Sequence, residues 1–206
     1  MIGYYNYTVI LTYIGTIFGF VGITYTFNAD FKMALICLMI SGFCDMFDGK
    51  IASTMKRTKQ EKRFGIQIDS LSDLICFGIL PALIVLKLTN GELIYITITA
   101  VYLLCALVRL AWFNVDEEER QNQEQGGREI YLGLPVTTVA LILPLVIGSL
   151  HLLKLSVDRI VPWILIGIAV AFLSPFPLKK PKCIGKIMIL LVGIAGFVFV
   201  LLGVNY

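Results

Sequence analysis

Residues 45–73 contain Asp45-Met46-Phe47-Asp48-Gly49-Lys50-Ile51-Ala52-Ser53, then a basic stretch with Lys56, Arg57, Lys59, Lys62 and Arg63, then Gly65-Ile66-Gln67-Ile68-Asp69-Ser70-Leu71-Ser72-Asp73. Apolar sequence runs outward from both ends, so the aspartates sit in two hydrophobic segments joined by a basic loop. An ionised carboxylate inside a membrane helix is expensive, and several together require compensation. Asp45 and Asp48 are three apart and share one helix face; Asp69 and Asp73 are four apart and share another. Two antiparallel helices joined by that loop bring the faces together. A lone aspartate at a helix end is a solvated end or a cap, and a lone membrane glycine is a packing notch. Four aspartates and two glycines at these offsets fit neither description.

The surrounding composition sets the solvent. The 206 residues are 58% hydrophobic and only 15% charged, with mean hydropathy +0.86, against about 25% charged in soluble domains. The expected fold is all-α, a polytopic transmembrane bundle with a single domain over residues 1–206. The hydrophobic segments are 7–27, 31–55, 65–89, 92–115, 134–153, 159–174 and 184–204. That is about seven helices, within a range of six to eight at about 20 residues each. Asn28 to Asp30 and Thr89-Asn90-Gly91 mark two of the turns. A net charge of +3, with its basic residues in loops, gives no sign of nucleic-acid binding.

The loops after segments two, four and six are the charged ones. They carry Lys56 to Arg63, then Arg120 and Arg128 among six acids, then Lys179, Lys180, Lys182 and Lys186. Positive residues favour the cytoplasmic side, so these loops and the N-terminus are expected in the cytoplasm, with Tyr206 outside. The start lacks the basic region of a cleavable signal peptide and the glycine of a myristoylation site. No eukaryotic sorting signal is visible, and a prokaryotic plasma membrane is the expected location. Cys37, Cys44, Cys76, Cys105 and Cys183 form no CxxC pair and are read as small hydrophobes. His151 is assigned no role. Residues 116–129 are read as a solvated loop or lid, and 113–122 has no clear apolar face for an interfacial helix.

Four clustered carboxylates repel unless a cation sits among them. An all-oxygen donor set suits Mg²⁺ or Mn²⁺, and four carboxylates suit two ions clamping a phosphoryl group. Gly49 and Gly65, lacking a β-carbon, let a phosphate approach the backbone.

This run resembles the signature of the CDP-alcohol phosphotransferases at Asp45, Asp48, Gly49, Ala52, Gly65, Asp69 and Asp73. Ser53 stands where the family has an arginine, and the spacer to Gly65 is longer than usual. The resemblance implies that Asp45, Asp48 and Asp69 ligate metal, with Asp73 as ligand and general base. It also implies that Asp48, Gly49, Ala52, Ser53 and Gly65 contact a CDP-linked lipid, with Lys50, Lys56 or Arg57 taking over the missing arginine's work. Within the family, three further pieces resemble phosphatidylserine synthases: Asp73 to Pro81, Arg109-Leu110-Ala111-Trp112-Phe113-Asn114, and Tyr131 to Pro135. Thr12 to Phe20 weakly resembles their first helix. The implied substrates are CDP-diacylglycerol and L-serine, in contact with membrane lipids and in a homodimer. Arg109 and Asn114 are the implied serine-binding residues, the alternatives being snorkelling for Arg109 and helix capping for Asn114. Glycerol phosphate or inositol phosphate as acceptor, or a cation transporter using the same aspartates, are the competing readings.

Overall fold

In the computed structural model, residues 3–123, 130–179 and 183–204 are described. A 3-10 turn, Tyr7–Val9, leads into α1 (Ile10–Phe27), followed by α2 (Phe31–Ala52) and α3 (Lys59–Asp73). A π-helical turn, Leu74–Ile79, joins α3 to α4 (Leu80–Leu88) in one continuous rod. Then come α5 (Leu93–Gln123), β1 (Ile130–Leu132), α6 (Val139–Leu152), α7 (Val157–Leu173), β2 (Pro177–Lys179) and α8 (Cys183–Gly203). These are seven rods at the positions of the seven apolar segments. Among the described residues three of them, Tyr7–Phe27, Lys59–Leu88 and Leu93–Glu119, are long and apolar enough to cross a membrane.

Lipid is as apolar as leucine, so helix association in a membrane depends on close packing. The first helix achieves it with small residues: Gly15, Gly19 and Gly22 are buried on its inner face. A β-carbon at Gly19 would stand 2.6 Å from Cys76 Sγ, so the rod containing α3 lies directly against α1. The inner face of α2 (Ala34, Leu35, Leu38, Ser41, Cys44) is buried as well.

Three ends differ from the expected boundaries, those of α3 and α5 first. The third segment starts at Lys59, six residues before Gly65, because Thr58 and Glu61 form a capping box that satisfies the first free backbone donors. The fourth continues to Gln123, so residues 116–123 are helical and not loop. Glutamates are good helix formers, and Glu118 pairs with Arg63 of α3 at 3.1 Å across an exposed surface. Residues 124–129 of the expected lid lie outside the described residues.

A short antiparallel ladder, Ile130↔Lys179 to Leu132↔Pro177, ties together two loops far apart in sequence. Gly133 follows with φ +74°, a conformation that side chains resist. Its N–H donates to the Phe176 carbonyl (2.8 Å) and that of Leu134 to the Ala171 carbonyl (3.1 Å), closing the end of α7. Pro135 then caps a 3-10 turn, Val136–Thr138, so α6 starts later than the expected 134.

The π turn has an identifiable cause. Pro81 has no N–H to give the carbonyl four residues back, and its ring crowds that carbonyl. The carbonyl belongs to Phe77, and the buried Tyr102 hydroxyl of α5 donates to it at 2.5 Å. The Leu80 N–H turns instead to Ile75. Tyr102→Phe leaves a buried acceptor unpartnered, and the expected loss is about 1–3 kcal/mol. Thermal unfolding of the purified protein measures it; an unchanged midpoint would show that the turn stands without this bond.

Candidate metal centre

The loop ends of α2 and α3 lie together, and their antiparallel course pairs the aspartates crosswise. The Asp45 side chain lies within hydrogen-bonding reach of Asp73, and that of Asp48 within reach of Asp69. One carboxylate oxygen from each of Asp45, Asp48 and Asp69 lies within 4.8 Å of the others. All three are half-buried, Asp45 and Asp48 in the mostly apolar α2 and Asp69 in α3, whose first turns are charged. Three hard anionic donors converging on one point fit a divalent cation such as Mg²⁺ or Mn²⁺. Asp73 adjoins them through Asp45, one turn further from the loop than Asp69.

The surrounding cleft is lined by residues of α1 as well as by the two aspartate helices. The buried Thr12 donates its hydroxyl to Asp48 Oδ2 at 3.4 Å. Its carbonyl accepts from Thr16 Oγ1 (2.8 Å), and Thr16 shares a 2.6 Å hydrogen bond with Ser72, which lies between the two α3 aspartates in sequence. Deeper, Ser41 Oγ donates to the Gly15 carbonyl at 2.9 Å and Cys76 Sγ to the same carbonyl at 3.4 Å. Of these contacts the one from Thr12 reaches an aspartate directly, and a contact of that kind fixes a carboxylate's orientation. Thr12 and Ser72 were not among the residues singled out in the sequence. The available signal was polar: Thr12 shares the buried face of α1 with Gly15, Gly19 and Gly22.

The expected lipid-side residues separate into two groups. Gly49 faces open space, with nothing within 4 Å of where a β-carbon would stand. Ser53 is exposed and its hydroxyl donates to the Lys50 carbonyl (2.7 Å), so it finishes α2 and does not point into the cleft. Ala52 is half-buried beside it. Lys50 lies over the Phe47 ring at 4.9 Å, and Lys56 is exposed. Arg57 is the cation that turns back: its Nη1 would lie 3.1 Å from a β-carbon at Gly65, one turn before Asp69.

The two expected acceptor-side residues also divide. Ser70 Oγ donates to Asn114 Oδ1 at 2.6 Å, which puts Asn114 beside the Asp69 turn. Arg109 is buried, with 5% of its surface exposed. Its Nε donates to the Leu134 carbonyl at 3.3 Å and its guanidinium lies over Trp112 and Phe113. It is absent from the residues that line the cleft and joins α5 to the Gly133–Pro135 turn.

Comparison with known proteins bears on this centre. The family model described as CDP-alcohol phosphatidyltransferase matches residues 5–174. The CDP-diacylglycerol–serine O-phosphatidyltransferase of Helicobacter pylori is 27% identical over 190 residues, covering 88% of this chain and 76% of that protein. The Saccharomyces cerevisiae protein of the same name is 35% identical over 108 residues, covering 51% of this chain but only 38% of the yeast protein. The archaetidylserine synthase of Methanothermobacter thermautotrophicus is 27% identical over 157 residues, covering 76% of this chain and 62% of the relative. No solved structure matches.

Proposed function

This chain belongs to the CDP-alcohol phosphatidyltransferase family, and from that premise we propose that it transfers the phosphatidyl group of CDP-diacylglycerol to the hydroxyl of L-serine, yielding phosphatidylserine and CMP. The observation that carries the reading is the crosswise pairing of Asp45 with Asp73 and Asp48 with Asp69, one turn below the Arg57–Gly65 contact. The names of the H. pylori and yeast relatives support serine as acceptor.

Asp45, Asp48 and Asp69, with Asp73 adjoining, would hold divalent metal, Mg²⁺ or Mn²⁺ and two ions in this reading, which would neutralise charge on the pyrophosphate and the departing CMP. Asp73 accepts the proton of the serine hydroxyl as its oxygen attacks the β-phosphorus. A new P–O bond forms on that side, and the bond to CMP breaks on the other. Thr12 keeps Asp48 turned toward the centre. Gly49 and Gly65 leave backbone surface against which the headgroup lies. Asn114 holds the acceptor side of the Asp69 turn, and Arg109 acts on the acceptor through the position of the Gly133–Pro135 turn. The positive loops support an active site facing the cytoplasm, and a homodimer in a prokaryotic plasma membrane completes the proposal.

Radiolabelled CDP-diacylglycerol, supplied with serine, glycerol phosphate or inositol phosphate, tests the acceptor. CMP release that requires serine supports the reading; release driven by either phosphate instead overturns it. Arg57→Ala is expected to raise the KM for CDP-diacylglycerol about ten- to a hundredfold, the worth of one charge-assisted contact. Lys56→Ala and Ser53→Arg should change it little. A large gain from Ser53→Arg with no effect at Arg57 would sink this assignment. Asn114→Ala, losing a neutral hydrogen bond, is expected to raise the serine KM about two- to tenfold. An unchanged value would make Asn114 a structural partner of Ser70.

A further inference from the structure

The segment before α1 contacts the basic loop and the start of α3 through Tyr4, Asn6 and Tyr7. Tyr4 Oη donates to Gln60 Oε1 at 2.9 Å, and the Tyr4 ring meets Phe64 edge-on with centroids 5.5 Å apart. Asn6 Nδ2 donates to Glu61 Oε1 at 3.4 Å, while its Oδ1 accepts from the Thr8 N–H. The Tyr7 hydroxyl shares a 3.0 Å hydrogen bond with Thr54. These contacts straddle Arg57: Thr54 lies three residues before it and Gln60 to Phe64 follow within seven. The other oxygen of Glu61 accepts from the Thr58 N–H (2.8 Å) and hydroxyl (2.9 Å) to close the capping box. One glutamate thereby joins the N-terminal segment to the start of α3.

We infer that Tyr4, Asn6 and Tyr7 form a clamp that fixes the loop carrying Arg57 over Gly65, and so set the affinity for the nucleoside-diphosphate headgroup. They are positioning residues, since none of them lines the aspartate cleft. The inference rests on the reading of Arg57 given above. A guanidinium on a loop is useful only if the loop is held, because ordering it on binding subtracts from affinity. The clamp supplies that order in advance, through contacts made by side chains 47 to 56 residues away in sequence.

Asn6→Asp tests it cleanly. Aspartate still accepts from the Thr8 N–H but sets a carboxylate against Glu61. Adding Glu61→Gln reverses the polarity: the glutamine oxygen still serves Thr58 in the capping box, and its amide donates to Asp at position 6. The full chain in lipid nanodiscs with Mg²⁺ is examined by CDP titration calorimetry, by steady-state kinetics and by the rate of tryptic cleavage between Lys56 and Lys62. Asn6→Asp is expected to weaken CDP binding about tenfold, to speed tryptic cleavage, and to leave kcat at saturating CDP-lipid within about twofold of wild type. Glu61→Gln should restore both binding and protection. Tyr4→Phe/Tyr7→Phe, which keeps the rings, should show the same direction. In an Arg57→Ala background Asn6→Asp should add nothing to the loss of CDP affinity.

Unchanged cleavage, or faster cleavage with unchanged CDP affinity, overturns the clamp. So does a loss that adds fully to that of Arg57→Ala, or one that Glu61→Gln fails to restore. Wild-type protein that binds no CDP overturns the functional reading and the headgroup role with it, and the cleavage rates tell that failure from failure of the clamp alone.

Discussion

Asp45→Asn, Asp48→Asn and Asp69→Asn are each expected to abolish serine-dependent CMP release, with a fall of at least about a thousandfold for each, the loss of several kcal/mol of charge stabilisation in the transition state. Asparagine keeps the shape and removes the charge, so the change falls on the donor set and not on packing. The three carboxylates supply oxygens within 4.8 Å of one another. On the proposed mechanism, neutralising any one of them should weaken the hold on a divalent ion and leave the pyrophosphate charge uncompensated. Calorimetric Mn²⁺ titration should show the same loss in the absence of any substrate. Thermal unfolding adds a third readout. In wild-type protein a bound ion should raise the melting temperature by mass action, and the three variants should lose that increment. Without added metal the variants should melt no lower than wild type, because one of several mutually repelling carboxylates has gone. Normal turnover in any two of the variants, in protein shown to be folded, would remove the metal-site model.

The legible part of this molecule was the part governed by helical periodicity and the cost of burying charge. Seven apolar segments became seven rods, and spacings of three and four put Asp45 with Asp48 and Asp69 with Asp73 on facing surfaces. Arg57 was one of three candidates for the missing arginine. Only the loop's course, set by the Thr58–Glu61 capping box and the N-terminal contacts, turns it rather than Lys56 toward Gly65. Contacts between segments distant in sequence were the illegible part. Nothing periodic links Ile130 with Lys179, or Thr12 with Asp48. The π turn was half-legible: Pro81 marked a break, but the hydroxyl that completes it comes from Tyr102, 25 residues from Phe77. Arg109 was read either as a cation for a serine carboxylate or lipid phosphate or as a snorkelling side chain, and neither reading anticipated that its Nε donates to the Leu134 carbonyl. An arginine near a helix end is compatible with a substrate, an interface or a neighbouring turn, and only tertiary packing chooses among them.

Asp73→Asn is expected to separate chemistry from binding. Asp73 differs from the other three in place. It is the last residue of α3, immediately before the π turn that Tyr102 holds, and one turn deeper than Asp69. The converging oxygens of Asp45, Asp48 and Asp69 do not include it, so its charge is the one least committed to an ion and most available to a proton. A positioned general base contributes about a hundred- to ten-thousandfold, and an amide cannot accept the proton. Single-turnover CMP formation at saturating serine should therefore fall by about that factor, while CDP affinity changes no more than about threefold, well under the tenfold that 1.4 kcal/mol represents. Asp69→Asn serves as the contrasting variant, since it should lose nucleotide affinity and rate together. If Asp73→Asn instead loses affinity while its bound fraction reacts at the wild-type rate, the proton leaves by another path and Asp73 is a binding residue. If it behaves as Asp69→Asn does, all four carboxylates belong to one donor set and Asp73 is not a separate base.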